Sequence, residues 1–156
     1  MIIPYLIGWR RSINYVKGSV FADNDETILD FFKQYGFNVY KDIKNEKLTK
    51  TMLNYILEYN TDFIRDLQKS GGFRSHIIYK NKHTSVCAIK TRTIDPRNNR
   101  GKSGGFRIYS LLGAKDGMAI IFHLYPKTGS NREDNIDAKE KTMIKKMIDS
   151  IDAGEA

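Results

Sequence analysis

The sequence predicts an α+β fold: a curved antiparallel sheet of about four strands, two helices before it, a C-terminal helix packed on it, and an N-terminal extension. Three observations predict this. Apolar residues recur at helical spacing twice before residue 70, the period then changes to two in four successive stretches, and an amphipathic stretch with a capping signal closes the chain. Apolar residues at 40% and aromatics at 12% allow 156 residues to bury one core, which excludes a disordered chain. The expected division is a main domain over residues 46–156, with residues 1–45 an extension, or a first strand and helix, packed on it.

Residues 1–22 read as extended structure, with Ile2, Ile3, Tyr5 and Ile7 and then Tyr15, Val16, Val20 and Phe21 set among the turn-formers Gly8 and Gly18. Asp23 and Glu26 stand at capping-box spacing ahead of Ile28, Leu29, Phe31, Phe32 and Tyr35, a short amphipathic helix stopped by Gly36. Residues 38–47 are polar without a clear period and are expected to form a loop or irregular strand. From Thr49 a longer helix carries Met52, Ile56, Tyr59, Phe63 and Leu67 on one stripe, widened by Leu53, Leu57 and Ile64 and ended by Gly71 and Gly72.

The period-two stretches are residues 75–80 and 84–94, joined by a turn at Asn81 and Lys82, and residues 106–112 and 118–125, joined around Asp116 and Gly117. Asp137 and Glu140 then cap a last helix with Met143, Ile144, Met147, Ile148 and Ile151 along one face. The hexapeptide Lys-Ser-Gly-Gly-Phe-Arg occurs at residues 69–74 and again at 102–107, but its flanks do not repeat, so no duplicated domain follows.

Lysine and arginine number 26 against 18 acids, and a formal charge of +8 on so small a body favours a polyanion such as nucleic acid. An acidic protein partner fits the same field, and solubility charge is the plainer reading. Cys87 is the only cysteine, so no intramolecular disulfide can form, which suits a reducing compartment. The apolar run at residues 1–7 is too short for a signal core or a membrane span. A cytoplasmic protein is expected.

The densest chemical signal lies in residues 87–109, where Lys90, Arg92, Arg97, Arg100, Lys102 and Arg107 face one acid, Asp95. On a strand, Lys90 and Arg92 share a face while Ile89, Thr91 and Thr93 take the other; Arg107 and Tyr109 likewise share a face. Cations and tyrosines on one face can grip phosphates and stack bases of single-stranded RNA. They also suit phosphodiester cleavage, since clustered cations neutralise the developing phosphorane charge and lower a neighbouring lysine's pKa for 2′-OH deprotonation, with no metal or cofactor required. The plainer alternative is a solvated sheet face whose charges discourage edge pairing.

Other residues carry less. The Gly-Lys-Ser at residues 101–103 lacks the glycine spacing of a nucleotide-binding loop. His76, His83 and His123 are too scattered for a metal motif; His123 lies on the last strand near the basic face, where a satisfied sheet histidine is its plainer role. Lys127 ends that strand and either brings a cation to the rim or is an exposed strand-end lysine.

The stretch Gly-Lys-Ser-Gly-Gly-Phe-Arg-Ile-Tyr at residues 101–109, followed by Leu124-Tyr125-Pro126-Lys127 and then Asp134-Asn135-Ile136-Asp137 before the last helix, resembles the RelE/HigB branch of the RelE/ParE toxin superfamily. The match covers roughly the final third of the chain, its three elements in family order. The resemblance implies a small α+β domain, the toxin of a type II toxin–antitoxin system, acting as an endoribonuclease on mRNA at the ribosome. It implies that Arg107 contacts the scissile phosphate, that Lys90 and Arg92 lie on the basic strand supplying general base and phosphate contacts, and that Lys127 is the basic position after the last strand. Lys90 is the general-base candidate. Arg97, Arg100, Lys102, Tyr109, Tyr125 and Arg132 are then the RNA-gripping positions, and the expected partners are a cognate antitoxin, mRNA and the ribosome, without a membrane.

The chain also departs from the family. The Gly-Gly-x-Arg run that the family places just before its basic strand matches residues 71–74, far upstream, and no tyrosine follows the last strand. Two other readings share the residues: a ParE-like toxin that inhibits DNA gyrase without cleaving nucleic acid, and a basic nucleic-acid-binding domain without catalysis.

Overall fold

Side-chain caps set where the helices begin in the computed structural model, which describes residues 16–81, 86–97, 105–113, 117–127 and 138–154. Helix α1, Glu26–Lys33, is capped by Asp25, whose carboxylate accepts from the N–H groups of Thr27 and Ile28. The cap is thus Asp25 and not Asp23, which lies in a 3-10 turn, Ala22–Asn24. Helix α3, Lys50–Ser70, is capped by Thr49 and ends at Gly71, whose φ of 77° is the left-handed conformation that stops a helix. Residues 38–47, expected as loop or irregular strand, contain helix α2, Val39–Asn45. Asn38 caps it through the N–H of Lys41, and only its two buried residues, Val39 and Ile43, report its period. Seven residues offer too few turns for that pattern to stand out from charge.

Five strands form one sheet: β1 Gly18–Phe21, β2 Ile77–Lys80, β3 Cys87–Thr93, β4 Phe106–Leu112 and β5 Met118–Pro126, in the spatial order β1-β5-β4-β3-β2. The predicted hairpin strands β2 to β5 pair antiparallel, while β1 joins as an edge strand parallel to β5, with Val20 beside Ile120. β2 begins two residues later than expected, because Gly72–His76 forms a 3-10 turn. The last helix, α4, spans Ala138–Gly154 and buries Ile144, Met147, Ile148 and Ile151. Its expected cap Asp137, the turn residues Lys82 and Asp116, and residues 1–15 lie outside the described residues. Phe21 to Leu48 contribute to the same apolar cluster as Ile108, Phe122 and Ile148, so residues 18–48 share the core of the rest.

Helix α3 takes one face of the sheet. Across it lies a buried polar network: the Asn60 amide donates to Ser19 Oγ at 3.1 Å and to Ser110 Oγ at 3.2 Å, and accepts from Thr91 Oγ1 at 2.5 Å. One side chain thereby ties β1, β4 and β3 to α3. Helices α1 and α4 take the other face, where Phe32 stacks on Phe122 at 4.9 Å, Tyr79 donates to Asp149, and Tyr35 bridges the two helices by donating to Ser150. A bulge in β5 serves this face. Tyr109 pairs with His123 but Ser110 with Ile121, so Phe122 is the extra residue. Strict alternation would turn Phe122 away; the bulge sends Phe122 and His123 to the same side, both against Tyr109.

Because Asn60 is fully buried, removing its amide strands three hydroxyls without that partner. Asn60→Ala is expected to lower unfolding stability by about 2–4 kcal/mol in urea titration. A loss below about 1 kcal/mol would mean that the network does not hold α3 to the sheet.

Candidate phosphodiester site

The pairing of β3 with β4 and β4 with β5 sets two rows on the face opposite α3. Lys90, Tyr109 and His123 form one; Arg92, Arg107 and Tyr125 form the next. Thr91, held inward by Asn60, is what turns Lys90 and Arg92 outward. The face divides lengthwise: α1 and α4 cover its apolar part, and the cationic rows occupy the end near Gly105 and Lys127.

Arg92 and Arg107 lie directly opposite each other, an arrangement that costs stability in a sheet. Burial and the charges of Lys127, Arg107 and Arg92 together hold the Lys90 ammonium below the ordinary lysine range, with Glu140 opposing them. Burial and Arg92 lower the Arg107 guanidinium similarly, against an opposing effect of Tyr125. The four residues read as catalytic from the sequence, Lys90, Arg92, Arg107 and Lys127, are thus brought into one electrostatic group. Arg92 is exposed, Lys90 and Lys127 are half-buried, and Arg107 is 5% exposed.

Tyr109 and Tyr125 form an aromatic floor. Both are buried, their rings meet edge-on at 5.7 Å, and His123 lies 5.1 Å and 5.4 Å from them. In this conformation neither ring offers an open face to a base. Asp42 of α2 reaches the same row, meeting His123 Nδ1 at 2.9 Å and accepting from the Leu124 N–H at 3.2 Å. This contact joins a helix that the sequence did not mark to a histidine read as a satisfied sheet residue.

Arg97 lies outside that group. Its guanidinium binds both oxygens of Asp95, at 2.9 Å and 2.8 Å, and reaches the carbonyl and carboxylate of Glu46 while lying over the Phe106 ring. It clamps the end of β3 to the end of α2. Gly105 opens β4 for a steric reason, since a Cβ there would sit 1.9 Å from the Thr93 carbonyl oxygen. The Gly105 carbonyl accepts from the Lys127 N–H at 3.0 Å, which fixes where Lys127 leaves β5. Arg100, Lys102 and Arg132 lie outside the described residues.

Beside Lys90 and Arg92 opens a groove of about 300 Å³ between residues 75–78, β3 and α4, with Lys141 on its far side. Glu140 and Lys141 are the neighbours that sequence reasoning missed: the first was read only as a capping residue, the second not at all. Nothing periodic marks them, because their role comes from where α4 starts relative to the sheet. Among the described residues no three His, Cys, Asp or Glu side chains gather as a metal-binding group, and no helix is long and apolar enough to cross a membrane.

Burial alone would raise the Asp95 carboxyl, but hydrogen bonds from the Arg97 side chain and backbone outweigh it and hold the pKa below the usual range. A depressed carboxylate contributes stability above its unfolded pKa and loses it as pH falls through its folded pKa. Arg97→Ala is therefore expected to cost about 2–4 kcal/mol at pH 7 and to flatten the loss of stability below about pH 4, read by denaturant titration across pH. Gly105→Ala is expected to cost about 3 kcal/mol by the same measurement, since β3 backbone must move.

No family model, no curated protein sequence and no solved structure matches this chain.

Proposed function

We propose that this chain is the endoribonuclease toxin of a type II toxin–antitoxin pair, of the RelE/HigB kind, cleaving mRNA on the ribosome in the cytoplasm. The observation that carries the reading is the gathering of three cations, Arg92, Arg107 and Lys127, around a fourth, Lys90, on three adjacent strands and their ends, where they and burial lower the Lys90 pKa. A fold gains nothing in stability from opposing two arginines and desolvating a lysine among them, so such a set points to an anionic substrate.

In the proposed reaction, neutral Lys90 takes the proton of the ribose 2′-OH. The 2′-oxygen forms a bond to phosphorus and the bond from phosphorus to the 5′-oxygen breaks, the leaving oxygen taking a proton from water. The products are a 2′,3′-cyclic phosphate and a 5′-hydroxyl. Arg92, Arg107 and Lys127 neutralise the charge that develops on the phosphorane oxygens. Free enzyme would arrest its host, so the reading includes an antitoxin whose acidic or amphipathic segment covers the cationic face.

Inducing the chain and its Arg107→Ala variant in a bacterial host, with growth and new RNA 5′ ends followed together, tests the assignment. Arrest and cleavage are expected to disappear in the variant. Arrest without new ends would favour gyrase inhibition, and RNA binding without cleavage a plain binding domain. In vitro, Lys90→Met is expected to lower the rate about 10²–10⁴-fold and remove the rising limb of the pH profile. Lys127→Met removes a repelling charge, raises the Lys90 pKa, and is expected to move that limb to higher pH.

A further inference from the structure

We propose that the groove beside Lys90 is a single-nucleotide subsite, which holds the residue next to the scissile phosphate and lets the enzyme discriminate among bases. For its substrate class the inference rests on the ribonuclease reading. Lys90 and Arg92 from β3 and Lys141 from α4 converge on it; among the described residues no carboxylate lines it, and Glu140, the neighbour of Lys141, is the acid that acts on Lys90. Three cations against one nearby acid make an anion site, and its volume of about 300 Å³ is at the small end of ligand clefts, room for one nucleotide.

The opposite wall is suited to a base. Ile78 is half-buried and presents aliphatic surface, with Ser75 and His76 beside it, while the Ile77 side chain pairs with Ile89 and packs toward α3. His76 Nδ1 lies 3.0 Å from the Lys90 carbonyl oxygen. A carbonyl only accepts, so this contact selects the tautomer protonated at Nδ1, in which Nε2 is the acceptor. Ser75 gives its hydroxyl proton to the Gly72 carbonyl and likewise keeps lone pairs to offer. A base whose edge donates N–H groups fits this wall, its 5′- or 3′-phosphate lying toward Arg92 and Lys141. The Lys90 backbone thus orients His76 while the Lys90 side chain serves the reaction, which links the subsite to the chemistry.

The test uses the full chain with 2′-deoxycytidine 3′,5′-bisphosphate, which lacks the attacking hydroxyl and cannot be cleaved, with inorganic phosphate as comparison. Lys141 is exposed on α4, and Lys141→Ala is expected to weaken bisphosphate binding about fivefold by calorimetry, Lys141→Glu more. Ile78→Trp, which fills the groove, is expected to abolish it. On RNA, Lys141→Ala is expected to raise KM and shift the distribution of cut sites with kcat little changed. Unchanged binding in both Lys141 variants, or inorganic phosphate binding as tightly as the bisphosphate, overturns the subsite even if RNA is cut. Binding that is lost in Lys141→Glu by a chain that cuts no RNA supports the nucleotide site while removing the ribonuclease reading.

Discussion

The Asn60 amide fixes which way β3 faces, and the candidate site depends on that choice. Side chains alternate along a strand, so a slip of one residue would exchange Ile89, Thr91 and Thr93 for Lys90 and Arg92. Burial already favours turning Ile89, Thr91 and Thr93 inward over charged Lys90 and Arg92, but it leaves the inward threonine hydroxyls in need of partners. A hydrogen bond from Thr91 to a fully buried amide that also binds Ser19 and Ser110 is specific in a way that burial is not. The same contact seats α3 and orients the cations, so fold and site share one determinant.

The opposite face solves a different problem. It must place aromatic bulk under α1 and cations at the far end without letting either disturb the other. The β5 bulge does this by putting Phe122 and His123 on one side, Phe122 stacking on Phe32 and His123 turning to Asp42. Arg97 then ties α2 to the end of β3, and the absence of a Cβ at Gly105 lets β4 start close against it. Each device acts at the end of the sheet where the cations lie.

Most of this architecture was legible in the sequence where the pattern was long. α3 spans about six turns, starting next to Thr49 and ending at Gly71 as expected, and β4 begins and ends as the alternation indicates. Short or composite features were not legible. α2 buries two residues among charges, the β5 bulge shifts the register without altering composition, and β1 pairs parallel with a strand about a hundred residues later. Of the site, the gathering of Lys90, Arg92, Arg107 and Lys127 follows from strand order and alternation. Burial of Tyr109 and Tyr125 does not, because a tyrosine beside arginines reads equally well as a stacking surface or as a floor. The commitment of Arg97 to Asp95 could be suspected from their spacing of two; its reach to Glu46 could not.

The buried tyrosines have a consequence for chemistry as well as for packing. Charge interactions strengthen as the local dielectric falls, by several-fold between water and a protein surface. Lys90 sits across from Tyr109 and Arg107 across from Tyr125, so the cations act on Lys90 beside an aromatic floor that replaces part of the surrounding water. Burial and charge then push the lysine the same way, and neither would suffice in an open, solvated cluster. The floor that holds the sheet to its helices is therefore also what allows three nearby cations to matter to a fourth. In a strip of the same charges laid on an exposed sheet, salt and water would screen that coupling away.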